Sequence, residues 1–100
     1  MKSDIFNQYA ERVCEQFAIT TQDLFSKNKR RDFVDARSLL YYLCYKRPMN
    51  ISYIERFMCD SGYNIRHSSI IAGINIVKKK VEEDADYSQI VKDIQKAVFI

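Results

Sequence analysis

The sequence predicts an all-α fold of five to six helices that includes a helix-turn-helix. Three observations predict it. The 100 residues include only two glycines and one proline, too few for a sheet with many tight turns. Apolar residues make up 47% of the chain and recur at three- and four-residue spacing. Polar residues able to cap helices stand in front of several of these runs.

The first helix is expected from about Asp4 to Phe17, with Ile5, Tyr9, Val13 and Phe17 on one face. A short second helix starts at Thr20 or Thr21, whose hydroxyl can cap it, and includes Leu24 and Phe25. A basic loop, Lys27 to Arg31, leads into a third helix with Asp32 and Asp35 near its positive end. That helix carries Phe33, Val34, Leu39, Leu40, Leu43 and Cys44 and ends near Lys46 and Arg47, before Pro48. Its apolar density marks it as the centre of the core. Asn50 can cap a fourth helix, Ile51 to Cys59. A turn, Asp60 to Asn64, follows, with Gly62 free to take positive φ. Asn64 is then read as the cap of a fifth helix whose buried side is Ile65, Ile70, Ile71, Ile74 and Val77. Ala85 to Phe99 reads as an amphipathic tail helix. The fourth and fifth helices with the turn between them form the helix-turn-helix, and residues 1–100 read as one domain.

Composition narrows the function. Cys14, Cys44 and Cys59 are odd in number and widely spaced, which argues against disulfides or a zinc site and for small core residues in a reducing compartment. His67 is the single histidine and has no second ligand at metal-binding spacing. No nucleophile–base arrangement and no desolvated carboxylate pair is visible, so no enzyme activity, cofactor or metal is expected. No signal peptide or membrane span is expected, and a cytoplasmic, nucleoid-associated protein is the reading. The formal charge is only +3, so a local patch must carry any nucleic-acid binding.

Two such patches stand out. Lys27, Lys29, Arg30 and Arg31 put four cations into five residues, and Arg37 and Lys46-Arg47 follow on the next helix. A cationic loop suits phosphates and the minor groove, although a solvated charge run is the ordinary alternative. Arg66, His67, Ser68 and Ser69 stand at a helix start. Their residue types suit base edges in the major groove, and capping of free amides explains the serines equally well. Lys78, Lys79 and Lys80 precede Glu82, Glu83 and Asp84 and read as a solvated face.

The order of these features resembles the C-terminal DNA-binding domain (domain IV) of the bacterial chromosomal replication initiator DnaA. Thr20-Thr-Gln-Asp-Leu24 matches a short "T/S-x-x-D/E-L" helix, and the stretch from Ser26 to Leu43, with Ala36-Arg37 and Tyr42-Leu43, matches its basic loop and "x-A-R-Q-x-A-M-Y-L". Arg66-His67-Ser68-Ser69-Ile70 takes the place of the family's Asp-His-Thr-Thr-Val. The resemblance runs from about Val13 to Val98.

It implies that His67, Ser68 and Ser69 contact bases or phosphates in the major groove. It further implies that Lys29 enters the minor groove and that Arg37 holds a backbone phosphate, supported by Lys27, Arg30 and Arg31. Ser52, standing where the family usually has proline, completes the DNA-binding candidates. Arg66 replaces an aspartate that accepts a hydrogen bond from cytosine, and an arginine there favours guanine or phosphate. Glu55 stands at a glycine position, and the turn between the two helices is about four residues longer than in the family. No glycine-rich ATP-binding loop is present in the sequence.

The expected partner is therefore double-stranded DNA, bound sequence-specifically by a small replication or transcription regulator of phage or mobile-element type. The rival reading is a helical interaction module whose partner is a replication or host protein.

Overall fold

In the structure, a computed structural model that describes residues 1–98, six α-helices follow one another: α1 (Lys2–Phe17), α2 (Thr21–Leu24), α3 (Arg31–Lys46), α4 (Ile51–Asp60), α5 (His67–Glu83) and α6 (Ala85–Ala97). No strand occurs among the described residues. The all-α class and the helix order are those the sequence predicts. The expected end of the tail helix at Phe99 lies outside the described residues.

Helix α3 is the axle. Every residue from Ala36 to Cys44 is buried, because α1, α2, α4 and α5 all pack around it. Helix α1 turns Phe6, Tyr9, Ala10, Val13 and Cys14 inward, so the expected face is rotated slightly and Ile5 and Phe17 lie at its edges. Val34, read as apolar core, is 36% exposed, since it lies about 100° around α3 from Phe33, which takes the inward position at 5% exposure. On α5 the buried positions are Ile70, Gly73, Ile74 and Val77. Ile71 is 46% exposed, which corrects its assignment to the core: it lies about 100° from Ile70 around the helix.

Gly73 permits the close packing of α5 on α3. A Cβ at that position would stand 3.0 Å from the Tyr41 ring and 3.1 Å from Ser38 Oγ.

Local chemistry sets the boundaries. Thr20 accepts from the Asp23 amide while the Asp23 carboxylate accepts from the Thr20 amide, a reciprocal cap at the start of α2. Asn50 caps α4 through the Tyr53 amide, and Asp84 caps α6 through the amides of Asp86 and Tyr87. The expected Asn64 cap on α5 is not formed. Instead Tyr63 is buried, its amide donates to the Met58 carbonyl at 2.9 Å, and the helix starts only at His67, after an extended Arg66. The Asn64 side-chain oxygen accepts from the Cys59 thiol. Cys59 is exposed, unlike Cys14 and Cys44, so the reading of all three cysteines as core residues holds for two.

Candidate functional site

The loop between α2 and α3 is built from two alternating kinds of residue. The Ser26 hydroxyl donates to the Asp23 carbonyl and accepts from the Asn28 amide, and the Asn28 side chain accepts from the Arg30 amide at 2.9 Å. These bonds fold the backbone locally. Lys27 and Lys29 between them are exposed and have no ion-pair partner among the described residues. Arg30 and Arg31 are also exposed, but they pair with Asp32 (3.0 Å) and Asp35 (3.6 Å) at the start of α3. Roughly half of the cationic run is thus directed at its own helix.

Arg37, expected from the resemblance at a backbone phosphate, is only 3% exposed. Its Nε donates to the Leu24 carbonyl at 2.7 Å, and one terminal nitrogen donates to the carbonyls of Ser26 and Asn28. The Tyr63 ring lies 4.5 Å from the guanidinium carbon. Three carbonyl dipoles and an aromatic face take the place of water around a buried charge. Arg37 therefore holds the basic loop against α3 from inside. The sequence carries a signal for this burial: Arg37 shares its helical phase with Phe33, Leu40, Tyr41 and Cys44, all buried.

Between this loop, α3 and α5 lies a concavity of about 410 Å³. Lys29, Arg37 and Arg66 supply its charge, and none of its lining residues is acidic. Val34, Ile65, Ala72 and Ile76 give it apolar walls; Tyr41 and Tyr63 add aromatic surface. Ser69 and Asn64 contribute polar groups. The Tyr41 hydroxyl is the one buried side-chain polar atom without a hydrogen-bond partner among the described residues. Burial raises its pKa well above the ordinary tyrosine range, and the neighbouring Tyr63 adds to that shift.

The concavity brings together four of the sequence-predicted site residues: Lys29, Arg37, Arg66 and Ser69. His67 and Ser68 lie beside it on the exposed first turn of α5. Lys27, Arg30, Arg31 and Ser52 are exposed and do not line it. Among the described residues there is no cluster of potential metal ligands and no helix long and apolar enough to cross a membrane.

Comparison with known proteins points in one direction. The chain is 30% identical over 86 residues to the chromosomal replication initiator protein DnaA of Thermodesulfovibrio yellowstonii, covering 86% of this chain and 19% of that protein. It is 27% identical over 89 residues to DnaA of Lachnoclostridium phytofermentans, with 88% of this chain and 19% of that protein covered. The chain is similar to DnaA. DnaA of Chlorobaculum tepidum is 26% identical over 88 residues, covering 88% of this chain and 17% of that protein. No family model matches the sequence. The chain spans about a fifth of the length of the DnaA relatives it matches.

The departures from the DnaA pattern have structural consequences. Glu55, where the resemblance leads one to expect glycine, places its carboxylate 3.1 Å from His67 Nε2 and so ties α4 to the first turn of α5. This partner of His67 was missed in the sequence, where the two residues lie in different helices with no spacing rule to join them. The stretch from Tyr63 to Arg66, outside any helix, joins the turn after α4 to α5. It leaves Arg66 exposed at the α5 N-terminus, with no side-chain cap on that helix.

Proposed function

We propose that the chain is a module that binds double-stranded DNA sequence-specifically through its basic loop and the N-terminal turn of α5. The observation that carries this reading is the juxtaposition of Lys29 with Arg66 and Ser69 around one acid-free concavity. Two segments far apart in sequence thereby present cations and hydroxyls to one ligand, and the similarity to DnaA, a replication initiator, supports DNA as that ligand.

The loop enters the minor groove led by Lys29, with Lys27, Arg30 and Arg31 strengthening the attraction to phosphates. The α5 tip enters the major groove, where Arg66 reads guanine or a phosphate and Ser68 and Ser69 reach base edges or backbone. His67 contributes from a ring already oriented by Glu55. Ser52, exposed at the start of α4, takes an outlying backbone contact. Arg37 acts through the loop, whose shape it holds. The biological role that follows is a small replication or transcription regulator.

Binding-site selection from a random duplex library at about 150 mM salt tests the reading, since phosphate-led binding is salt-sensitive while base readout enriches a motif. One enriched motif, relaxed at single positions by Arg66→Ala and Lys29→Ala, is the expected result. Absence of duplex binding even at about 50 mM salt would sink it.

A further inference from the structure

We propose that the concavity between the basic loop, α3 and α5 is also a site for a small free ligand: a phosphate ester with an apolar or aromatic body, about the size of a nucleoside monophosphate. Its occupancy then competes with DNA, and this second clause rests on the function proposed above; the site itself does not.

The volume, about 410 Å³, falls within the range of small-molecule sites, about 300–1,000 Å³. Its charge is of one sign. Lys29 and Arg66 are exposed and have no ion-pair partner among the described residues, while Arg37 adds a fixed buried charge behind them. Such a lining attracts an anion and repels a cation. The first turn of α5, which lacks a side-chain cap, adds the positive end of a 17-residue helix beside Ser69.

The remainder of the site is apolar and aromatic, which inorganic phosphate alone does not use. Val34 and Ile76 form a lip at 36% and 53% exposure, so apolar surface stays in water until a ligand body covers it. The Tyr41 hydroxyl is the most specific indication. It belongs to a residue that lines the concavity and is only 3% exposed, and it has no hydrogen-bond partner among the described residues. An unpaired buried hydroxyl is costly, and a ligand oxygen satisfies it.

Isotope-labelled protein is titrated with thymidine 5′-monophosphate, with thymidine and with inorganic phosphate, while backbone amides are followed by NMR. The expected result is saturable one-site binding of the nucleotide, with shifts at Ser38, Ser69 and Gly73. Thymidine and phosphate each bind at least about tenfold more weakly, because each uses only half of the site. Tyr41→Phe raises the melting temperature of the free protein by removing the unpaired hydroxyl, yet weakens the nucleotide about fivefold, one hydrogen bond's worth. Ala72→Phe fills the concavity from the exposed side of α5 and removes nucleotide binding while helix content is unchanged.

Nucleotide binding no tighter than that of phosphate, or unaltered by both variants, overturns the proposal. Duplex competition separates the two readings. If the nucleotide binds and no duplex does, the DNA reading falls and the site stands. If duplex binds and the nucleotide does not, the site falls and the DNA reading stands.

Discussion

Replacing Arg37 with alanine removes the group on which three loop carbonyls converge. The Leu24 carbonyl is the buried one, and losing a hydrogen bond from a charged donor there costs about 1.5–3 kcal/mol. The Ser26 and Asn28 carbonyls are part-buried and rehydrate, so each loses about 0.5–1 kcal/mol. The sum is about 2.5–5 kcal/mol before any loss of packing against Tyr63. For a domain of this size that lowers Tm by about 10–40 °C. Arg37→Lys keeps the charge but not the planar reach to three acceptors, and about half the loss is expected. Melting followed by circular dichroism measures both variants. Duplex binding is then compared at a temperature where each is folded, together with limited proteolysis between Ser26 and Arg30. If Arg37→Ala melts within about 3 °C of the parent while duplex affinity drops, the guanidinium serves a phosphate and the internal lock is refuted.

Other perturbations follow from the same contacts. Thr20→Ala and Asn50→Ala each remove a side-chain cap and are expected to cost about 1 kcal/mol in urea unfolding, with m unchanged. Gly73→Leu forces side-chain atoms toward the Tyr41 ring and Ser38 and is expected to cost about 1–3 kcal/mol; a fully stable variant would show that α3 and α5 can separate freely. Burial first, then Asp23 and Glu11, push the Cys14 thiol up from 9.0 to about 11. The folded state thus disfavours its thiolate: the contribution to stability is whole below pH 9.0 and is lost as pH rises through about 11, which a pH series of urea melts detects. At pH 8 a maleimide labels exposed Cys59 in the native protein and spares Cys14 and Cys44; equal labelling of all three would contradict the packing of α1 and α3.

Helix order was legible because apolar spacing, Thr20 and Asn50 speak through residues within one turn of each other. The start of α5 was not. Asn64 has the chemistry of a cap, but with Tyr63 buried and Ile65 part-buried the helix starts only at His67, a tertiary demand that overrides local preference. Ile71 was misplaced for a related reason: residues 70 and 71 are both isoleucine, and only the phase set by Gly73 against Ser38 decides which one faces inward. The cationic loop was visible as charge, yet its division into free lysines and paired arginines depends on where Asp32 and Asp35 stand once α3 has formed. The concavity was invisible, since its lining comes from the loop, α3, the α4–α5 turn and α5.

The loop before α3 separates two kinds of information by position. Ser26 and Asn28 fix the path of the backbone through their own side chains and through the carbonyls they offer to Arg37. Lys27 and Lys29 take no part in that scaffold. Evolution, or an engineer, can therefore rewrite the charge at 27 and 29 without redrawing the curve that displays it. A library randomised at those two positions explores ligand preference on a constant frame, whereas one randomised at 26 and 28 explores folding.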